Sequence, residues 1–115
     1  DVSAVCRRLQ STPHGLALFL LEGAADERGV ACLGGECFGP AGRGFLRFSC
    51  AEPDERLVEA VGFLREAVTR TDRAHMHRQV RKETAAQRAA WPGGIPMLLD
   101  ALSGRMEPLV PRETR

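Results

Sequence analysis

The first third of the chain places apolar residues at the spacing of short helices. Four of them follow the i, i+3, i+4, i+7 pattern and predict a helix over residues 1–9: Val2, Val5, Cys6 and Leu9. Thr12 and Pro13 are typical of a helix N-cap and a first helical position. A second helix, apolar on several sides, is predicted over residues 16–22.

Two short apolar segments flank a glycine-rich loop in the middle of the chain. Residues 29–33 and 45–50 have the length and apolar character of strands. Two strands joined by a loop most simply form an antiparallel pair. The loop contains four glycines that permit a positive φ or a close backbone approach: Gly35, Gly39, Gly42 and Gly44.

A third helix, opened by Pro53, is predicted through residue 71. Its apolar stripe consists of Leu57, Val58, Val61, Leu64, Ala67 and Val68. Side chains alternate faces along a strand, so Leu46, Phe48 and Cys50 share one face of the second strand. We expect the stripe to cover that face, which leaves Arg47 on the face turned away from the helices.

After residue 72 the sequence becomes polar and alanine-rich. It predicts a helix up to Trp91, a stop at residues 92–94, a short helix over 95–102 and a frayed tail over 108–115. We therefore predict one small domain over residues 1–72 and a helical extension with a frayed tail over 73–115. The predicted class is α+β, in two layers, with a small antiparallel sheet of two or three strands covered by helices.

Composition changes this picture little. A chain of 115 residues is one domain by length, or a piece of a larger one. Its net charge of +1 favours neither nucleic acid nor a membrane surface, and no apolar run approaches membrane-spanning length. Five residues share a basic face over residues 70–88, which we expect to be solvated rather than a binding surface: Arg70, Arg73, His77, Arg81 and Arg88.

The cysteines and histidines do not predict a metal site. Cys6, Cys32 and Cys50 lie at apolar-periodic positions, which favours reduced core thiols and a cytoplasmic protein over a disulfide. No Cys-x-x-Cys pair gives zinc-ligand spacing. His75 and His77 are two residues apart on a predicted helix, so they face different directions.

Arg47 is the one charged residue inside the second predicted strand. An arginine flanked by Leu46 and Phe48 is expected to find an anion, because an unpaired buried charge is very costly. Its planar fork suits a carboxylate or a phosphate. The residues leave two interpretations open, an anion-binding role or an ion pair with a neighbouring acid such as Glu36.

Other candidate chemistry is weaker. The glycine loop lacks the Gly-x-Gly-x-x-Gly order and the P-loop lysine, so we expect its glycines to shape turns rather than to cradle a phosphate. No Ser/His/Asp or Cys/His arrangement stands out. We predict no catalytic residue in this chain.

The central segment resembles the C-terminal small domain of class I/II aminotransferases, which are pyridoxal-phosphate enzymes of fold type I. The resemblance is carried by Gly-Glu-Cys-Phe-Gly at 35–39, Gly-Arg-Gly-Phe-Leu-Arg-Phe-Ser at 42–49 and Pro-Asp-Glu at 53–55. It covers about residues 16–72 and keeps the family's order of loop, strand arginine and helix start.

The resemblance implies part of an enzyme that transfers an amino group between an amino acid and a 2-oxo acid. Carried over by motif, Arg47 binds the substrate carboxylate, and Phe38 and Gly39 line the substrate entrance. It further implies pyridoxal phosphate as the cofactor of the full-length enzyme, a large cofactor-binding domain outside this chain, and a homodimer when complete.

The chain departs from the family pattern at two points. Gly34 stands where the family has proline. The cofactor lysine motif is absent, because Lys82 is the only lysine and lacks the motif's neighbours, and there is no tyrosine. The chain alone is therefore expected to be inactive. The alternative function is a non-catalytic small α/β binding module that uses the basic helix 70–88 or the Arg47 face.

Overall fold

The computed structural model describes residues 1–90. Its elements are α1 (Ser3–Leu9), α2 (Pro13–Leu18), β1 (Leu33–Gly34), β2 (Leu46–Arg47), α3 (Asp54–Ala67) and α4 (Thr71–Ala90). A π-helical turn, Phe19–Gly23, continues α2, and two 3₁₀ turns, Gly35–Phe38 and Pro40–Gly42, lie between the strands. The predicted α+β class with a helical C-terminal part is confirmed. The elements predicted beyond residue 90 lie outside the described residues.

The chain divides into two compact units, Asp1–Gln79 and Val80–Arg115. The first contains the sheet, the glycine loop and helices α1 to α3. The described residues of the second are the last turns of α4, where the Thr84 hydroxyl donates to the Val80 carbonyl at 2.9 Å. The domain boundary predicted at residue 72 stays a prediction.

The start of α2 forms as predicted. The Thr12 hydroxyl accepts a hydrogen bond from the Gly15 N–H at 3.0 Å, and Pro13 occupies the first turn. The cap satisfies one of the four N–H groups that a helix start leaves without partners. The helix then continues through the π-helical turn, whose buried residues are Phe19 and Leu20.

The core lies between α1, the α2 segment and the adjoining ends of α3 and α4. The largest fully buried side chains are Leu9, Leu16 and Leu20. Phe63 and Ala67 contribute from α3, and Ala74 contributes from α4. The helical spacing in α1 and the apolar character of residues 16–22 thus predicted the part of the core that these segments contribute, except that Leu21 is 48% exposed. Phe63 was not among the predicted apolar positions of α3.

The predicted stripe of α3 is only partly right. Ala67 is buried, but Val58 and Val61 are 73% and 53% exposed. The buried line instead runs through Phe63 and Ala67, four residues apart on one side of the helix. Only the second half of α3 therefore contributes buried side chains, and the helix in contact with β1 is α2.

The strands are antiparallel, as predicted, but much shorter than the apolar segments. Leu33 pairs with Arg47 and Gly34 with Leu46. The Val30 N–H donates to the Leu20 carbonyl at 2.9 Å, so this end of the predicted strand is bonded to the π-helical turn. Extending the register would set Val30 opposite Cys50, and that pairing is lost.

This shortening overturns the predicted covered face of the second strand. Leu46 packs against the core, but Phe48 is 37% exposed and Cys50 is exposed. Alternation cannot bury these two residues because β2 ends at Arg47. The prediction of a core thiol holds for the buried Cys6 and is wrong for Cys50.

Arginine side chains from other elements bind the carbonyls at the ends of three helical segments. Arg78 donates to the carbonyl of Gln10, the C-cap of α1. Arg70 donates to Ala24, which caps the π-helical turn, at 2.5 Å. The last carbonyls of a helix have no intrahelical donor and carry its negative dipole end, so a cationic donor is favoured there.

The third helical end is bound in the same way. Arg8 of α1 donates to the carbonyl of Val68, the C-cap of α3, at 2.6 Å. Arg73 adds a bond from its Nε to the Gly23 carbonyl at 2.6 Å and an ion pair with Asp26. These hydrogen bonds join residues that are far apart in the sequence, and each connects one helical segment to the C-terminal end of another.

Within residues 1–90, no helix has both the length and the apolar character needed to cross a membrane.

We predict that Arg73→Ala lowers the free energy of unfolding by about 1–2 kcal/mol, because it removes a charged donor from the Gly23 carbonyl. Urea denaturation measures the change. Arg65→Ala, the same substitution at an exposed position of α3, is the control and should change stability by less than about 0.5 kcal/mol. Equal losses in the two variants would contradict the role of Arg73.

The Asp26–Arg73 pair predicts a dependence of stability on pH. Its hydrogen bond to Arg73 and that residue's charge hold the pKa of Asp26 below its ordinary value of 3.8. A lowered folded-state pKa contributes stability above the unfolded-state pKa, and this is lost as the pH falls through the folded-state pKa.

We therefore expect Asp26→Asn to be less stable than the natural chain at about pH 7, with the difference shrinking below about pH 4. Urea denaturation of both chains across this range measures it. A difference that stays constant down to the acid limit of folding would show that the charge of Asp26 does not stabilise the fold.

Candidate functional site

Arg47 lies on β2 with its side chain exposed to solvent. Its guanidinium carbon is 4.7 Å from the centroid of the Phe38 ring, which brings these two predicted site residues together. No ion pair joins Arg47 to a carboxylate of the described residues 1–90. The guanidinium therefore lies over an aromatic ring and has no carboxylate partner in this part of the chain.

The alternative pairing of Arg47 with Glu36 is wrong. The Glu36 Oε1 instead accepts the backbone N–H of His14 at 2.9 Å. His14 lies in the first turn of α2, next to the Thr12 cap. A carboxylate is favoured at that position because the helix start carries free N–H groups and the positive end of its dipole.

Apolar side chains share the face of Arg47. Leu33 is its cross-strand partner and is 52% exposed, and Phe45, two residues before Arg47, is 46% exposed. Phe38 is 52% exposed. Large apolar groups around one cation make this an unusual exposed patch for a small unit, whose opposite face carries Leu46 against the core.

The glycine loop is shaped by two different requirements. Gly39, the third predicted site residue, has a φ of +104° and follows Phe38 directly. Gly35 and Gly42 instead bring two backbone segments together, since a Cβ on Gly42 would lie 1.9 Å from the Gly35 carbonyl oxygen. Only glycine permits the first conformation at low cost and the second approach at all.

The loop amides are used within the loop. Gly39, Gly42 and Arg43 donate to the carbonyls three residues before them at 3.1–3.3 Å, and Gly35 donates to Phe45 at 2.7 Å. A phosphate cradle needs several such N–H groups pointing at one anion. The prediction that the glycines shape turns is therefore confirmed.

The described residues do not fit pyridoxal phosphate. Four loop amides, those of Gly35, Gly39, Gly42 and Arg43, already donate to backbone carbonyls. The one lysine of the chain is the exposed Lys82 on α4, and the sequence contains no tyrosine. Residues 1–90 offer no arrangement that would anchor the cofactor's phosphate, aldehyde and ring together.

Cys6 and Cys32 are not activated nucleophiles. Burial raises the pKa of the Cys6 thiol, and the nearby Glu36 carboxylate raises it further. Burial also raises the pKa of Cys32. A raised pKa disfavours the reactive thiolate. All four cysteines are free thiols.

The basic face predicted over residues 70–88 is not simply solvated. Arg70 and Arg73 donate to backbone carbonyls of this chain, and the His77 Nε2 lies 3.0 Å from Glu22 Oε1. The side chain of Arg88 lies outside the described part. Within residues 1–90, no group of three His, Cys, Asp or Glu side chains could hold a metal ion.

Sequence reasoning missed two features of this site. It considered Glu36 only as one of two options for Arg47, although a helix start at Thr12-Pro13-His14 leaves amides for a carboxylate to bind. It also missed the arginine bonds to helix ends, because their carbonyl acceptors carry no sequence signature.

We predict opposite stability effects from alanine at three glycines. Gly42→Ala and Gly39→Ala should each lower the free energy of unfolding by about 1–3 kcal/mol, the first through overlap and the second through its backbone conformation. Gly62→Ala is the control and should raise it by about 0.5–1 kcal/mol, because its helical site in α3 is open. Urea denaturation measures all three. A neutral Gly42→Ala would contradict the close approach.

Comparisons of the chain with family models, with curated proteins and with solved structures find no match.

Proposed function

We propose that this chain is part of a pyridoxal-phosphate-dependent aminotransferase, in which Arg47 binds the carboxylate of the amino-acid or 2-oxo-acid substrate. The observation that carries the proposal is the state of Arg47. It is exposed on β2, it stacks on Phe38, and it has no ion pair with a carboxylate of residues 1–90. A planar guanidinium with free donors is suited to bidentate carboxylate binding.

The order of elements supports the proposal. A helix, a strand, a glycine loop, the arginine-bearing strand and a second helix follow one another. The motifs that resemble the aminotransferase small domain lie on the corresponding elements, with Gly-Glu-Cys-Phe-Gly in the loop and Arg47 on β2. The predicted covering of the sheet by α3 is not part of this support, since the helix packed on β1 is α2 and Phe48 and Cys50 are exposed.

In the proposed enzyme, this chain binds and orients the substrate. Arg47 fixes the carboxylate, and Phe38 and Gly39 line the entrance. Leu33 and Phe45 are exposed apolar side chains near Arg47, and a large domain closing over them would exclude water from the ion pair and strengthen the attraction between the opposite charges. Fixing one end of the substrate sets the position of its reactive carbon.

The remaining parts of the proposed enzyme lie elsewhere. A large domain outside this chain would bind the cofactor, which supplies the electron sink, and the complete enzyme would be a cytoplasmic homodimer. This chain alone would be inactive.

A second function, a non-catalytic binding module, stays a prediction. Arg70 and Arg73 donate to carbonyls of the same chain, so no observation on residues 1–90 favours the basic helix as its binding surface. Steeply salt-dependent binding to nucleic acid would support it.

We predict that Arg47→Lys in the protein encoded by the native gene lowers kcat/KM for amino-acid substrates roughly 10- to 100-fold, because a lysine cannot make two parallel hydrogen bonds to a carboxylate. Steady-state transamination assays measure it. Arg43→Lys, the same substitution at an exposed loop position, is the matched control and should leave kcat/KM unchanged. Equal kinetics for Arg47→Lys and the natural protein would refute the role of Arg47.

A further inference from the structure

Phe38 is an exposed aromatic residue that core packing does not explain. It is 52% exposed, and the guanidinium carbon of Arg47 lies 4.7 Å from the centroid of its ring. A cation within about 6 Å of a ring centroid is attracted by the negative face of the ring. The contact therefore favours one position of an otherwise flexible side chain.

The backbone that carries Phe38 is fixed to α2. Phe38 ends a 3₁₀ turn that begins at Gly35, and Glu36 lies inside that turn. The Glu36 carboxylate accepts the His14 N–H at 2.9 Å, and the Glu36 carbonyl accepts the Gly39 N–H at 3.3 Å. One residue thus holds the turn at both its side chain and its main chain.

Stacking and carboxylate binding use different parts of the guanidinium. The Arg47 guanidinium carbon lies over the Phe38 ring. A guanidinium can meet an aromatic ring with its planar face, whereas a carboxylate is bound by N–H donors in the plane at the edge. The two interactions are therefore compatible. An arginine side chain loses rotamer entropy when it is fixed, so a ring that restricts it beforehand lowers the entropic cost of binding.

We infer that Phe38 and Glu36 are positioning residues for Arg47. Glu36 fixes the loop to the start of α2, and Phe38 holds the guanidinium face so that the donor edge stays open to a carboxylate. The inference rests on the proposed function and deepens it, because Phe38 acts through Arg47 and not only as part of the entrance.

The first test measures the contact between Phe38 and Arg47 in the absence of any ligand. In the full 115-residue chain, NMR resonances of the Arg47 side chain should be shifted upfield by the ring current of Phe38. The shift should persist in Phe38→Tyr and disappear in Phe38→Leu. It should shrink in Glu36→Ala and recover in Glu36→Gln, whose amide oxygen can still accept the His14 N–H. Identical Arg47 shifts in the natural chain and in Phe38→Leu would overturn the inference.

The second test measures binding, with sodium acetate as the probe and the backbone N–H resonance of residue 47 as the reporter, because every variant keeps that group. Phe38→Leu should weaken acetate binding about two- to fivefold, the equivalent of about 0.5–1 kcal/mol for an exposed cation–π contact. Phe38→Tyr should restore it. Phe48→Leu removes an exposed aromatic residue of the same segment and is the control, with unchanged binding expected. Unchanged acetate binding in Phe38→Leu would overturn the positioning role.

The two proposals fail in different ways. If Arg47→Lys binds acetate as tightly as the natural chain, Arg47 is not the carboxylate site and the proposed function loses its support, whatever the ring-current shift shows. If Arg47→Lys abolishes binding while Phe38→Leu has no effect, the carboxylate site stands and the positioning role is refuted. Core resonances of Leu16 and Leu20 verify that each variant is folded.

Discussion

The fold depends on hydrogen bonds from arginine side chains to the carbonyl groups at helix ends. Short helices leave a large share of their backbone groups without intrahelical partners, and α1 and α2 have seven and six residues. In this chain Arg78, Arg70 and Arg8 each donate to the C-cap carbonyl of a helical segment. The bonds join segments that are distant in sequence and compensate for a small apolar core.

These hydrogen bonds distinguish the arginines that stabilise the fold from Arg47, the candidate functional arginine. Arg70 and Arg73 lie on a basic face that resembles a binding surface in the sequence, yet both donate to carbonyls of the same chain. Arg47 differs because its recorded contact is an aromatic ring and not an acceptor. The chemistry left open at Arg47 is therefore the capacity to bind an anion at the guanidinium edge. The neighbouring apolar side chains would shield such a pair from water.

Local patterns predicted the helices well and the strands poorly. The Thr12-Pro13 start, the helical spacing of α1 and the helix up to Ala90 depend on neighbouring residues and were all visible in the sequence. Strand ends depend on distant partners. Val30 looked like a strand residue, but its N–H bonds to Leu20, and Gly29 lies so close to the Leu21 carbonyl that a Cβ would be 1.9 Å from it. A local sequence pattern cannot show that a distant carbonyl group, here that of Leu20, will take the N–H that strand pairing would use.

The candidate site was also predictable only where it depends on neighbouring residues in the sequence. Arg47 and Phe38 stood out as an arginine and an aromatic residue around a glycine loop, and the structure brings them together. The role of Glu36 was missed because its acceptor function depends on the start of α2, 22 residues away. The predicted stripe of α3 was wrong in the first half of the helix, because an apolar face is buried only where another element packs against it.

The most direct test of the central claim, that Arg47 belongs to an aminotransferase, is the intact mass of the native gene product with its visible absorbance recorded on the same sample. The proposal predicts a chain several times longer than 115 residues that carries the absorbance of bound pyridoxal phosphate. A 12.5 kDa product without a chromophore would contradict it.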